Sequence, residues 1–160
     1  MTLKSETLPL CNFISIQEYA SRLEQLNVET RLGWHNIELH MAQSYRDEKD
    51  LEKAIARTLI GSRTQIPVPG GGKVDIGYRS FLFEVKLYLD GGNFNAALKQ
   101  LWGYVYRFGQ SSYLGVLIGQ ARYRNLEYLK KQSGFAVSEF GIETVIWWNG
   151  QLANSLRELT

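Results

Sequence analysis

The chain has little of what builds covalent or soft-metal frameworks. It holds one cysteine, Cys11, which excludes an internal disulfide and any zinc site made of several thiolates. A reducing, cytoplasmic setting is the expectation. The two histidines, His35 and His40, lack the helical spacing with an intervening glutamate that zinc proteases use, and read as ordinary helix residues. No run of roughly 20 apolar residues is present to span a membrane. No N-terminal stretch joins a basic region, an apolar run and a small-residue cleavage site. Charge of one sign is also scarce: 18 Lys and Arg against 16 Asp and Glu leave a formal net charge of +2. That balance excludes coating of nucleic acid by bulk charge and leaves such contact to a local patch. Repeats and low-complexity blocks are absent. Gly70-Gly71-Gly72-Lys73 has neither the spacing nor the following Ser or Thr of a P-loop, and is expected to form a mobile loop.

What remains is the make-up of one globular domain. Its 160 residues, 44% hydrophobic and 21% charged, suffice for a core and are too few for two domains of usual size. A helical N-terminal addition over residues 1–46 is expected, followed by a core over 47–150. Ile16, Tyr19, Ala20, Leu23 and Leu26 recur at helical spacing and predict a helix from Ser15 to Leu26. A second is expected from Trp34 to Ser44. A third opens near Asp47, with Leu51, Ile55 and Leu59 on one face and Gly61 as its stop. Gln65 to Val68 is β-prone and ends at Pro69 and the glycines. Strands are predicted over Lys73 to Tyr78 and Phe81 to Leu89, with Gly91 and Gly92 closing the second. An amphipathic helix follows over Asn93 to Phe108, then a strand buried on both faces over Tyr113 to Ile118. A helix over Arg124 to Gln132 and a strand over Thr144 to Trp148 come next, before the turn pair Asn149-Gly150. Gln151 to Leu159 is expected to add a short strand or helix. The order describes a mixed α/β domain with a central sheet flanked by helices.

The chemistry concentrates in the hairpin. Phe81, Phe83, Val85, Leu87 and Leu89 alternate with Leu82, Glu84, Lys86 and Tyr88; Val74, Ile76 and Tyr78 alternate with Lys73, Asp75 and Gly77. A turn of even length around Arg79-Ser80 joins the apolar faces, with Tyr78 against Phe81 and Ile76 against Phe83. It also sets Asp75 opposite Glu84. Directly opposed β-carbons lie about 5 Å apart and like charges there repel. Such a pair calls for a cation between the carboxylates or a shared proton. Magnesium is a hard ion commonly held by one or two carboxylates with water and substrate phosphate. Lys86, two residues along the same face, can orient or help deprotonate an attacking water, or stabilise charge developing on phosphate. Gly77 leaves space on that face for a ligand. The competing reading of a glutamate and a lysine two apart is a solvated strand face.

Gly72-Lys73-Val74-Asp75 followed by Phe83-Glu84-Val85-Lys86 resembles the PD-(D/E)XK nuclease superfamily. Gln100 and Tyr104 resemble the Q-x-x-x-Y motif of its RecB-like and λ-exonuclease-like branches, and stack on one helix face. The resemblance spans roughly residues 47–118, and Val74 stands in place of a proline that many members also lack. It implies a restriction-endonuclease-like core, α-β-β-β-α-β, and a divalent-metal-dependent nuclease acting on DNA in preference to RNA, endonuclease or exonuclease. It implies ligation of Mg2+, or Mn2+ in its place, by Asp75, Glu84 and the backbone carbonyl of Val85. Lys86 would assist the water, and Gln100 and Tyr104 would order the site or the substrate. A further acid is expected from the preceding helix, Glu48 in preference to Glu52; both otherwise read as first-turn acids favoured by the helix dipole. A homodimer or higher homo-oligomer is common among small nucleases of this type. The reading from another class is a non-catalytic nucleic-acid-binding or assembly protein that retains the fold.

Further residues could serve a nucleic acid. Lys99, Arg107, Arg122, Arg124, Lys130 and Lys131 are candidates to track phosphates, and Trp102, Tyr106 and Tyr113 to stack on bases. The competing readings are solvated charge and core aromatics. Trp147 and Trp148 point to opposite faces of their strand, so one is expected at the surface, as at a protein interface.

Overall fold

The structure, a computed structural model, describes residues 14–41, 47–89, 91–109, 112–121, 126–148 and 151–157. Cys11, Arg122, Arg124 and the Asn149-Gly150 turn lie outside the described residues, as do the side chains of His35 and His40.

Leu23, Leu26, Thr30, Trp34 and Ile37 are all buried. They form one stripe at helical spacing, and a single helix, α1 (Ile16–Met41), carries it. The two helices expected there are therefore one. Gly33 and the β-branched residues before it weaken the local signal, but the glycine answers to packing. A β-carbon on Gly33 would lie 2.0 Å from Cγ2 of Thr58, on the next helix, α2 (Glu48–Thr58). Asp47 caps α2 by accepting the Asp50 N–H at 2.9 Å, and Leu51, Ile55 and Leu59 are buried.

The remaining elements are β1 (Arg63–Pro67), β2 (Lys73–Tyr78), β3 (Phe81–Tyr88), α3 (Gly91–Phe108), β4 (Leu114–Ala121), α4 (Leu126–Phe135), β5 (Ile142–Trp148) and β6 (Gln151–Asn154). A π-helical turn, Ala136–Phe140, joins α4 to β5. The strands form one mixed sheet in sequential order from β1 to β6. Strands β3, β4 and β5 are parallel and the outer pairs antiparallel. Helices α3 and α4 are the crossovers that parallel neighbours require. One face of the sheet packs α1 and α2 through Tyr19, Trp34, Leu51, Ile55, Phe83 and Trp147. The other packs α3 and α4 through Phe94, Leu101, Leu117, Leu129 and Ile146. The result is a three-layer α/β domain, and among the described residues no helix is long and apolar enough to cross a membrane.

Several local expectations are corrected. Helix α3 takes in Gly91 and Gly92, since N–H groups of a first turn need no intrahelical acceptor. Helix α4 runs past Gln132 through the weak formers Ser133 and Gly134 into the π turn, which ends at Gly141 with φ +66. Leu89 does not join Phe81, Phe83 and Val85 but packs with Leu82 on the α3 side. The pairing of β3 with β4 slips between Lys86 and Tyr88, which turns Leu89 over. Val74 likewise packs on the α3 side while Ile76 and Tyr78 face α2. Trp147 is fully buried, its ring edge-on to Trp34 at 6.1 Å, and Trp148 is half-buried; neither stands out at the surface.

Candidate active site

The hairpin closes in the expected register, with Tyr78 against Phe81, Gly77 against Leu82 and Ile76 against Phe83. Arg79 opens the two-residue turn with φ +53, and its guanidinium pairs with Glu29 at 2.7 Å. Beyond Ile76 a side chain replaces the backbone partner. Asp75 Oδ2 accepts the Val85 N–H at 2.8 Å, so the strand that carries Glu84 is tied to the Asp75 carboxylate itself. Glu84 is only 3% exposed and lies within hydrogen-bonding reach of Asp75. Its Oε2 is buried without a hydrogen-bond partner. Burial foremost, then the hydrogen bond and charge of Asp75, push the Glu84 carboxyl up to about 9, with Glu48 adding to the push and Lys86 opposing it. The absent partner and the hydrogen bond describe two protonation states. With both groups ionised Oε2 has no donor; with a proton on Glu84, Asp75 becomes its acceptor. The direction of the shift favours a proton on Glu84 wherever no cation replaces it.

A hard dication fits this donor set. Two carboxylates converge, one with an orphaned oxygen, and magnesium needs no more than one or two from protein. Among the described residues no set of three His, Cys, Asp or Glu side chains converges as a metal-binding group. Glu48, the first residue of α2, turns elsewhere: its Oε1 is 3.8 Å from Lys86 Nζ and its Oε2 accepts the Leu87 N–H at 3.3 Å. Glu52, one turn on, accepts from Gln65 Nε2 at 2.7 Å. Burial foremost, with the charges of Asp75 and Glu48, raises its carboxyl above the usual range against that hydrogen bond. The fold thus brings Asp75, Glu84 and the Val85 backbone together, and sets Lys86 with Glu48 beside them.

Gln100 and Tyr104 do meet: Gln100 Nε2 donates to Tyr104 Oη at 2.7 Å. Tyr104 lies against the glycine loop ahead of β2. Gly72 has φ +90, and a β-carbon there would come within 2.7 Å of Tyr104 Oη. Arg107, one further turn along the same face, donates to the carbonyls of Pro69 (3.3 Å) and Gly71 (3.0 Å). Its guanidinium lies 5.3 Å from the Tyr104 ring centroid. Two carbonyls of the glycine loop thus meet Arg107 Nη1, which ties the loop to α3. The signal was present in the i, i+4, i+7 spacing of Gln100, Tyr104 and Arg107. The expectation at Gly77 is corrected: the space beside it is filled by Ile66, whose Cδ1 would be 2.3 Å from an added β-carbon.

Elsewhere, Lys99, Lys130 and Lys131 are exposed. Trp102 and Tyr106 are exposed and stacked on each other at 5.7 Å, and Tyr113 is half-buried against Phe108 at 5.4 Å. A second buried acid escaped the sequence reading. Glu143 on β5 accepts from Tyr19 at 2.6 Å and from Arg157 Nη2 at 2.8 Å, beside a cavity of about 380 Å³. Its one signal was an acid on the same strand face as Val145 and Trp147. No protein-family model, no curated protein and no solved structure matches this chain.

Proposed function

We propose that the chain is a divalent-metal-dependent nuclease with a restriction-endonuclease-like core, hydrolysing phosphodiester bonds of DNA in preference to RNA. The observation that carries this reading is the carboxylate pair with an orphaned, buried oxygen at Glu84 and a lysine two residues along the same strand. A bound Mg2+ or Mn2+ would polarise the phosphate and lower the pKa of a water. Asp75 and Glu84 would hold that ion with the Val85 carbonyl. The Val85 N–H orients Asp75, so one residue serves both ligands. Lys86 orients the attacking water or meets the charge that develops on phosphate. Glu48, at 3.8 Å from its ammonium, steadies the lysine. Gln100 and Tyr104 brace the loop from which β2 departs toward Asp75.

The test is incubation of the protein with single-stranded, double-stranded and branched DNA, with magnesium or manganese, beside Asp75→Ala and Lys86→Ala. Metal-dependent cutting is expected, and each variant should lose roughly 100-fold or more of the rate, the scale on which a group acting on transition-state charge contributes. Wild type and variants behaving alike on every substrate would overturn the reading and favour a binding protein with this fold.

A further inference from the structure

Helix α2 carries Lys49, Lys53 and Arg57 at i, i+4 and i+8, all exposed. That spacing makes one stripe, with successive cations about 6 Å apart along the axis. None of the three takes part in a salt bridge among the described residues. The stripe forms one wall of an open groove of about 520 Å³ whose other wall is β1, through Thr64 and Gln65. Strand β1 is the sheet's edge, paired only with β2.

The β1 wall of this groove comes level with Asp75. Gln65 has φ +52, a left-handed conformation that costs a residue with a side chain about 1 kcal/mol or more. Pairing of β1 with β2 passes from Thr64–Ile76 to Ile66–Val74, which leaves Gln65 level with Asp75 and outside the ladder. Its amide reaches across the groove to Glu52 at 2.7 Å. A strained residue level with Asp75 thus ties the β1 wall to the helix that bears the basic stripe.

We propose that the groove between α2 and β1 is the track along which a nucleic-acid phosphate backbone is led to Asp75 and Glu84, held by Lys49, Lys53 and Arg57. This rests on the nuclease reading for its end point, but its binding prediction stands by itself. Glu52 lines the same groove and its charge is felt by Lys49, but the row of three cations, free of salt bridges among the described residues, outweighs it and suits a regularly spaced polyanion. The edge of β1 alone would suit a peptide strand, which gives the stripe no role.

The test is fluorescence anisotropy with a labelled oligonucleotide, single-stranded and duplex, in EDTA so that cutting does not intervene. Wild type and Asp75→Ala are compared with Lys49→Gln/Lys53→Gln/Arg57→Gln and with Lys99→Gln/Lys130→Gln/Lys131→Gln on the α3–α4 side. Glutamine keeps helix propensity, and circular dichroism checks the fold. The groove triple should bind at least about tenfold more weakly, with a salt dependence shallower by roughly two on the single strand and nearly three on the duplex, as expected when about three phosphate contacts are lost. The α3–α4 triple removes the competing candidates for phosphate contact and should lose clearly less affinity than the groove triple. Undiminished binding by the groove triple, an equal loss in the other triple, or no binding by wild type each overturns the proposal. Normal cutting by a groove triple that binds like wild type removes the track and leaves the nuclease. Weakened binding with no cutting by wild type leaves the track and removes the nuclease.

Discussion

Two buried glutamates on the same sheet are told apart by their partners. Glu143, 2% exposed, is met by the Tyr19 hydroxyl and by the backbone and guanidinium of Arg157. Removing it leaves a partly buried guanidinium without its counter-charge, so Glu143→Ala should cost about 3 kcal/mol in urea unfolding and leave cutting intact wherever the variant is folded. Glu84 has the opposite character. Its folded pKa near 9 stands above the ordinary 4.5, so between those values the native state holds a proton that the unfolded chain releases. The stability this contributes is full below pH 4.5 and is lost as pH rises toward 9. Glu84→Gln keeps a neutral donor at every pH and should remove that decline. In EDTA the variant should gain on wild type from pH 6 to pH 8.5, by on the order of 3 kcal/mol. Equal pH slopes for the two proteins would show that Glu84 is ionised in the fold. Magnesium must displace the proton, so its stabilising effect on wild type should be larger at pH 8 than at pH 6.

At the scale of elements, the hairpin was legible because two alternating faces can be matched in only one parity of register, and that parity fixed Asp75 near Glu84. The faces beyond it were not legible. Leu89 turns over at a slip in pairing with β4, a contact far along the chain that alternation within β3 does not register. The trace of it in the sequence is Gly119 inside an apolar strand: a β-carbon there would lie 2.5 Å from the Lys86 carbonyl oxygen. Gly33 within α1 is likewise explained by a contact far along the chain, with Thr58, that local helix propensity does not register. The packing account makes a specific prediction. Gly33→Ala improves helix propensity by about 1 kcal/mol, yet should destabilise by about 1–3 kcal/mol through overpacking against Thr58. Thr58→Ser removes the offending Cγ2 and keeps the hydroxyl that donates to Ala54 O. The double variant should therefore recover most of the loss in a thermal or urea melt, whereas two additive losses would mean that the contact is not the cause.

At the scale of the molecule, the sheet needs cover on both faces, and on one of them much of the cover comes from α1. Tyr19, Leu23, Leu26, Trp34 and Ile37 enter the same core as Phe83, Val85 and Trp147. Sequence patterning alone could call these residues an addition, because an amphipathic helix does not reveal which surface it will cover. In the fold α1 and α2 share that face, and α2 carries the glutamate held against Lys86. A chain beginning at residue 47 would leave Trp147, Val145 and part of Phe83 facing water, an apolar patch that a stable monomer rarely exposes. It should lose the cooperative urea transition and bind a hydrophobic dye. Trp34→Ala, which empties one site in the intact chain, should cost about 3–5 kcal/mol while keeping the transition cooperative. A cooperative transition in the truncated chain would instead mean that α2 and the sheet fold alone. The site would then owe nothing to α1, and its geometry should survive the truncation with metal-linked stabilisation unchanged.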